Sequence, residues 1–549
     1  MQLAVLLLLA APLLANAATV TVDWNSCPTT RNTAASVLVA ADPEWLASGK
    51  MSAAAAKGVR GLAEAGADAI RLLNFNIFPG ISCAQLEGPD AWNFTAMDAV
   101  MKMFMDAVGD ASVIIDIETS PAWMWADANA TNTQTCADAH SFTLPVTGAP
   151  GADPTQLRCP HYGGPHVPKD PTWGQIAAYF KRVADHYTRG GFTDERGQWH
   201  AGAAHGPYTF AYWEVLNEVN HAREHAFTPQ GIVDFYDAQL KAFAADGGPP
   251  PAAKFNGPSW GGMNSVEDVD TLMAPFLNAS NHHPPSTPVD AVSFHIYGSC
   301  DDPSPAGMER VFTSTHQRVT NGALRRMGEV KRALRPNVEL HLTESGICCN
   351  KPKTCGANNY TCWYDTQFTP TYWVASASQW LFQFLTYAEA VELASIAQSQ
   401  ILGYPYTFDG LSGEWPSGTM VDWKTQELNA KYYVEIMLLK NVGRPFSYCK
   451  TTSSGNGGVY AQALTSPKGR VVVLINTKHT PTTVGLPGAT GKRALAIDVA
   501  SGNGPARAAT LASDTVALRA FATVLVQWDV GGGGTAHADR PMNDRQQQK

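Results

Sequence analysis

The sequence predicts an α/β fold, a (β/α)8 TIM barrel over residues 34–441, followed by an all-β sandwich over residues 442–530. Two observations predict the barrel. Short β-branched runs alternate with longer Ala/Leu-rich stretches, and seven such runs are counted with an eighth expected. A third observation predicts the sandwich, because the runs "GGVYAQALTS", "GRVVVLINTK", "RALAIDVA" and "FATVLVQWDV" alternate in polarity and are divided by Gly, Pro and Ser turns.

Both ends of the chain differ from this pattern. Residues 1–17 combine an apolar run with the small-residue site Ala15-Asn16-Ala17, which is typical of a secretory signal peptide. We expect residues 18–33, which contain "ATVTVDW", to form a strand that could pair with the sandwich. Residues 531–549 begin with four glycines and continue as a polar segment, so a disordered tail is predicted.

The composition excludes some classes of partner. Charged residues make up 16% of the chain, and the net charge of −9 contains no acidic or basic block, which argues against a nucleic-acid partner. No stretch after the signal peptide reaches about 18 apolar residues, so stable membrane insertion is not expected. Secretion and ten cysteines together predict disulfides. Glycosylation is expected from four sequons, at Asn93, Asn129, Asn278 and Asn359.

The barrel strands follow one another in chain order. The first seven are "SVLVA", "DAIRLLN", "SVIIDIE", "FAYWEVLN", "KFNGPS", "DAVSFHIYG" and "VELHLTES", and an eighth is expected near Glu392–Leu402. The competing fold is a doubly wound open sheet. Its glycine-rich turn, G-x-G-x-x-G after the first strand, is missing from the sequence.

Two carboxylates end strands that face each other across such a barrel. Glu218 ends the fourth strand in "YWEVLNEVN", and Glu344 ends the seventh in "LHLTESG". This geometry can bring the carboxyl groups to about 5–5.5 Å, the separation in retaining glycosidases. One carboxyl group should then carry a proton and act as the general acid, while the other stays ionised and attacks. The spacing does not decide which is which.

The segments "EVLNEVN", "FNGPS", "VSFHIYG" and "LHLTESG" resemble strands four to seven of the retaining glycoside hydrolases of clan A. Their order and pattern are most similar to glycoside hydrolase family 39, the β-xylosidase and α-L-iduronidase family. The resemblance covers roughly Ser36 to Val530, because that family also carries a β-sandwich after its barrel. It implies a secreted O-glycosidase that acts on an oligosaccharide, polysaccharide or glycoside and needs no cofactor.

The resemblance also implies roles for individual residues. Glu218 would be the acid/base and Glu344 the nucleophile. Asn217 would bind the sugar hydroxyl next to the anomeric carbon. Tyr297 and Arg71 would orient the nucleophile, and His295 would line the sugar subsite.

Two further features have open interpretations. Trp123 and Trp260 follow strands, so they could stack on sugar faces or pack at the rim. "HAREH" places His221 and His225 at the spacing of a helical zinc pair, but it lacks the Glu directly after the first His, and no metal is predicted. The alternatives to a hydrolase are a barrel that binds glycans without cleaving them, a transglycosylase with the same residues, and a metallohydrolase. The oligomeric state cannot be read from the sequence.

Overall fold

The computed structural model describes most of the 549-residue chain. The described residues are 18–41, 45, 49–74, 83–85, 88–89, 91–118, 120–126, 167–221, 225–245, 253–300, 302, 304–349, 355, 362, 368–401, 418–422, 425–454 and 457–530. The predicted signal peptide, the predicted C-terminal tail and the sequons at Asn129 and Asn359 lie outside them.

Strands and helices alternate through the N-terminal part of the chain. The strands are β1 (Ala18–Asp23), β2 (Thr29–Arg31), β3 (Ala34–Ala40), β4 (Ile70–Asn74), β5 (Val113–Ile117), β6 (Gly191–Thr193), β7 (Trp199–Ala201), β8 (Tyr212–Val215), β9 (Lys254–Phe255), β10 (Ala291–Cys300), β11 (Glu339–Cys349), β12 (Ser395–Gln398), β13 (Val421–Asp422) and β14 (Glu427–Leu428). The longer helices are α1 (Ala53–Ala65), α2 (Thr95–Val108), α3 (Gly174–Thr188), α4 (Pro229–Ala245), α5 (Pro305–Thr320), α6 (Ala323–Leu334), α7 (Pro370–Ala390) and α8 (Ala430–Asn441).

Local sequence signals set the ends of these helices. In α1, the Ser52 side chain accepts a hydrogen bond from the backbone N–H of Ala55, and Gly66 ends the helix with a φ of 104°. A serine N-cap and a left-handed glycine after the last turn are the usual stop signals of a helix. The buried residues Val59 and Leu62 lie one turn apart on the face that packs inward.

Eight strands form one parallel sheet that curls back on itself. Its order is β10-β11-β12-β3-β4-β5-β8-β9, which is the chain order of the predicted barrel strands when it is read as a circle. The edge strands β9 and β10 are consecutive in the chain, and two isolated parallel bridges, Asn256 with Ala291 and Trp260 with Phe294, connect them. The predicted alternation and parallel pairing are therefore confirmed, and in the described part of the chain the two edges meet through isolated bridges and not through a continuous ladder.

The sheet is buried on both of its faces. Every residue of β3 and of β5 is buried, as expected when helices cover one face and packed side chains fill the other. Strand β11 is longer than predicted, because it continues past Glu344 to Cys349. Between β10 and β11 the register shifts, so that Phe294 pairs with Leu342 while His295 pairs with Glu344. Thr343 is thus the extra residue of a β-bulge, which re-aims the side chains that follow it.

The C-terminal part is all β. Its strands are β15 (Phe446–Ser454), β16 (Val459–Ser466), β17 (Gly469–Asn476), β18 (Thr482–Gly485), β19 (Arg493–Ile497), β20 (Arg507–Thr510), β21 (Thr515–Leu518) and β22 (Thr523–Val530). They are connected, with β1 and β2, into a sheet of ten strands. The sequence predicts a β-sandwich, and in the structure one strand connects the two groups of strands.

Strand β15 makes that connection by changing partners along its length. Its first half, Ser447–Cys449, pairs with β16, and its second half, Lys450–Ser454, pairs with β1. A strand that switches sheets forms the corner between two packed layers. The core between them contains Val20 and Val484 from one group of strands and Val472 and Val524 from the other.

Disulfides support the expectation of an oxidising compartment. Cys27 is bonded to Cys449 across 422 residues, and Cys355 is bonded to Cys362 within the loop after β11. Cys83 is a buried free thiol. Among the described residues, no helix is long and apolar enough to cross a membrane.

We expect the paired substitution Cys27→Ser and Cys449→Ser to lower the free energy of unfolding by roughly 2–5 kcal/mol, because the bond removes the entropy of a very long loop from the unfolded chain. Thermal and urea unfolding under non-reducing conditions measure this change. Cys83→Ser is the control, since it removes a thiol that closes no loop. A paired variant as stable as the wild type would show that β1 is held by strand pairing alone.

Candidate active site

The chain after β8 has an unusual backbone. Leu216 and Glu218 have φ values of 63° and 44°, in the left-handed region that residues with side chains rarely adopt. The backbone N–H of Leu216 donates to the carbonyl of Ile117 at 3.0 Å, which ties this turn to β5. Such strained conformations persist where the surrounding structure imposes them, and they concentrate at functional sites.

Glu344 is held by two donors on separate oxygens. Arg71 Nη1 donates to Oε1 at 2.6 Å, and the Tyr297 hydroxyl donates to Oε2 at 2.8 Å. The Glu344 side chain is only 4% exposed. A guanidinium and a phenol that both donate to a buried carboxyl group stabilise its ionised form.

The second carboxylate lies beside the first. Glu218 Oε1 is 2.8 Å from His295 Nδ1, and the same nitrogen is 3.5 Å from Glu344 Oε2. One oxygen of Glu218, one oxygen of Glu344 and a His295 nitrogen all lie within 4.8 Å of one another. This is the short separation of a carboxylate pair, well below the roughly 6.5–9.5 Å that leaves room for a water between the two groups.

A proton lies between Glu218 and His295. The 2.8 Å contact of His295 Nδ1 with Glu218 Oε1 needs one, since two atoms that present only lone pairs repel each other at that distance. On the other side of the ring, His295 Nε2 lies 3.0 Å from Ser259 Oγ. Asn217 Oδ1 accepts from the Ser259 hydroxyl at 3.1 Å and from Arg71 Nη2 at 2.9 Å.

Arg71 binds two more carboxylates below the pair. Its Nε donates to Glu214 Oε2 and its Nη2 to Asp116 Oδ2, both at 2.7 Å. All three side chains are completely buried. Glu214 also accepts a hydrogen bond from the Ser293 hydroxyl. Asp116, Glu214 and Ser259 were not predicted as site residues, although an acidic residue inside the apolar runs "VIIDI" and "YWEV" is a signal for a buried ionic network.

One guanidinium cannot neutralise three buried carboxylates. Burial alone would lower the pKa of Arg71, but Glu214, Asp116 and Glu344 outweigh it and raise that pKa. Burial raises the pKa of Asp116 well above its usual value, and repulsion from Glu214 and Glu344 acts in the same direction, while the attraction of Arg71 opposes both. Burial and the neighbouring carboxylates thus favour the protonated form of Asp116.

The structure bears on the predicted sugar-stacking role of Trp260, while that of Trp123 stays a prediction. Trp260 is 0% exposed and packs edge-on against Phe276, with ring centroids 5.4 Å apart. It offers no face to a sugar, so the stacking role is corrected to that of a loop anchor. Trp123 is half-buried, and its Nε1 donates to the carbonyl of Gln85 at 2.9 Å. No contact in the described residues connects Trp123 to the carboxylate pair.

Glu218, His295 and Glu344 also offer three atoms of the types that bind zinc. Arg71 and Tyr297 already donate to both oxygens of Glu344, so a cation would compete with a buried guanidinium for this ligand. The arrangement suits acid–base and nucleophilic chemistry by two carboxylates better than metal binding.

No protein-family model and no curated protein matches the chain. Solved structures are similar in fold. One is the GH51 arabinofuranosidase from Xanthomonas axonopodis pv. citri, at 11% sequence identity and a TM-score of 0.56, covering 94% of this chain and 100% of that chain. CelM2, a bifunctional glucanase-xylanase from a metagenome library, is similar at 14% identity and a TM-score of 0.53, over 93% and 99% of the two chains.

A third similar structure is the catalytic domain of GH30 xylanase C from Talaromyces cellulolyticus, at 13% identity and a TM-score of 0.52, over 93% of this chain and 100% of that chain. At such identities the similarity establishes a shared fold across nearly the whole chain.

The raised pKa of Asp116 has a consequence for stability. Because its pKa in the folded protein is raised above the unfolded value of about 3.9, its contribution to stability is complete below that pH and is lost as the pH rises. The asparagine side chain of Asp116→Asn is uncharged at every pH. We therefore expect the free energy of unfolding of the wild type, minus that of Asp116→Asn, to fall between pH 4 and pH 8 in urea titrations.

The exposed variant Asp110→Asn gives the baseline for this comparison. A difference that stays constant or rises with pH would mean that Asp116 is ionised in the folded protein.

Proposed function

We propose that the chain is a retaining O-glycosidase in which Glu344 is the nucleophile and Glu218 the acid/base. The observation that carries this proposal is the pair of carboxyl groups whose oxygens approach within 4.8 Å. One of them is bound by Arg71 and Tyr297, and the other shares a proton with His295. Two carboxyl groups with unequal protonation at this separation are what a double displacement requires.

The first step forms a covalent intermediate. Glu344 attacks the anomeric carbon, and the bond to the leaving oxygen breaks as Glu218 gives that oxygen its proton. The Glu344 charge is consumed in the new bond to the sugar, while Arg71 keeps its 2.7 Å contact with Glu214. In the second step Glu218 takes a proton from water, the water attacks the same carbon, and Glu344 leaves as a carboxylate.

Asn217 is suited to hold the sugar. Its Oδ1 is occupied by Arg71 and Ser259, so the amide orientation is fixed and Nδ2 is the group left to donate. A donor next to the nucleophile can bind the hydroxyl adjacent to the anomeric carbon, where the contact tightens as positive charge develops on the ring. Tyr297 and Arg71 would keep Glu344 ionised, and His295 would supply the proton of Glu218.

The finer assignment is a clan A enzyme with a closed (β/α)8 barrel, most similar in its motifs to family 39. The solved structures of similar fold include an arabinofuranosidase, a xylanase and a glucanase-xylanase, which supports a glycan substrate. Secretion is part of the proposal. It is supported by the disulfides and by the first 17 residues, and glycosylation is compatible with the exposed position of Asn93.

A panel of nitrophenyl glycosides tests the activity, with β-xylosides, α-L-iduronides, β-glucosides and α-L-arabinofuranosides as its first members. On the best substrate we expect Glu218→Gln to lower kcat/KM by about 10²–10⁴-fold, the usual contribution of a general acid. Glu344→Gln should abolish turnover. Glu392→Gln is the control, because its side chain is 77% exposed. Full activity of either active-site variant would contradict the proposal.

Proton NMR of the first product tests the stereochemistry. Because two displacements occur at one carbon, the sugar should be released with the anomeric configuration of the substrate. Release of the opposite anomer would mean that water attacks directly, and products longer than the substrate would identify a transglycosylase.

We expect treatment with EDTA, followed by gel filtration, to leave activity unchanged, since Glu344 is bound by Arg71 and Tyr297. Activity that is lost with EDTA and regained with zinc would instead assign Glu218, His295 and Glu344 as metal ligands.

A further inference from the structure

Gly261 lies against the carboxyl group of Glu218. A Cβ atom added to Gly261 would stand 2.8 Å from Glu218 Cδ, 2.9 Å from Oε1 and 3.1 Å from Cγ. The first two distances are closer than carbon and oxygen atoms approach without bonding, so any side chain at position 261 must displace the carboxyl group or the loop that carries the glycine.

The need for glycine here concerns space and not backbone conformation. Gly261 does not have a positive φ, whereas its neighbour Gly262 has a φ of 70°. An alanine at position 261 can therefore keep the backbone that the glycine has. What it cannot keep is the present position of the Glu218 side chain.

The loop cannot easily move away, because β10 fixes it on both sides of Gly261. The carbonyl of Trp260 accepts from the backbone N–H of His295 at 2.8 Å, and the N–H of Met263 donates to the carbonyl of His295 at 3.3 Å. The Trp260 side chain is completely buried. The loop is thus attached to the residue whose imidazole binds Glu218.

Asn220 attaches the same glycine to the Glu218 turn. Its Nδ2 donates to the carbonyl of Gly261, and its Oδ1 accepts from the N–H of Gly261, both at 2.9 Å. One amide side chain thus binds both polar groups of this residue. Asn220 follows Glu218 by two residues, so this pair of bonds fixes the distance between the glycine and the acid/base.

We propose that Gly261, fixed by Asn220, is a positioning residue for the acid/base. It provides the space in which the Glu218 carboxyl group meets His295 Nδ1 at 2.8 Å. The inference rests on the proposed function, in which Glu218 protonates the leaving oxygen.

Alanine at position 261 should move the carboxyl group without unfolding the chain. The atoms it would meet are the far end of a side chain that is 20% exposed, so Glu218 can rotate out while the loop stays in place. A displacement of about 1 Å in a catalytic group can cost about 10²-fold in rate. The loss in rate should be confined to the step in which Glu218 protonates the leaving oxygen.

The experiment compares two substrates in Gly261→Ala. For a phenyl glycoside, whose leaving group needs protonation, we expect kcat/KM to fall by about 10–100-fold. For the dinitrophenyl glycoside of the same sugar, whose leaving group departs as an anion, kcat/KM should change by less than about 3-fold. Equal losses on both substrates, or no loss on either, would overturn the proposal.

Gly262→Ala is the matched control. It introduces backbone strain in the same loop, but its Cβ would meet only Asn264 Nδ2, at 3.7 Å. It should lower the melting temperature without changing the ratio of the kcat/KM values for the two substrates. Asn220→Ala is the second variant, and it carries the test if Gly261→Ala does not fold. It should show a smaller loss that is again confined to the phenyl glycoside, and equal effects on both substrates would contradict the role of Asn220.

A crystal structure of Gly261→Ala gives a readout that does not depend on activity. The proposal predicts that the Glu218–His295 contact is broken while residues 259–263 keep their position. An intact contact together with a displaced loop would overturn it. If the wild type cleaves no glycoside, the proposed function fails, and this structure still decides whether Gly261 positions Glu218.

Discussion

The site depends on one buried cation. Arg71 extends from β4 into the interior of the curled sheet, and its nitrogens bind Glu344, Glu214 and Asp116 without exposure to solvent. Burying charged groups is costly unless they are paired, and removing one partner of such a network usually costs more than the network contributes. The raised pKa of Asp116 lowers this cost, because it favours the uncharged form of one of the three carboxyl groups. The same guanidinium orients Asn217, so one side chain fixes both the nucleophile and the sugar-binding amide.

Three departures from regular strand structure place Glu218 and Glu344 beside each other. The left-handed backbone of Leu216 and Glu218 turns the chain at the end of β8. The bulge at Thr343 changes which side of β11 the Glu344 side chain faces, since strict alternation would place it on the face of Leu342. The third departure is Gly261, whose missing side chain leaves the space that the Glu218 carboxyl group occupies. Regular strands alone would not bring these two side chains within one sugar ring of each other.

The sequence predicts the strands and the two carboxylates because both leave local signals. The apolar runs have strand length, and Glu218 and Glu344 stand where such runs end. Asp116 and Glu214 give a weaker signal, since a single acidic residue within an apolar run does not reveal its partner. The burial of Trp260 and the partner change within β15 depend on contacts between distant segments, which no local pattern records. Gly261 gives no local signal, because its role depends on the Cβ atom that a glycine lacks.

The most direct measurement of the central claim is covalent trapping. A 2-deoxy-2-fluoro glycoside with an activated leaving group should label the wild type once per chain, and peptide mass spectrometry should place the sugar on Glu344. Glu344→Gln should remain unlabelled. Tight binding of the reagent without a covalent adduct would identify a glycan-binding protein, and an adduct on any other residue would contradict the assignment of Glu344 as the nucleophile.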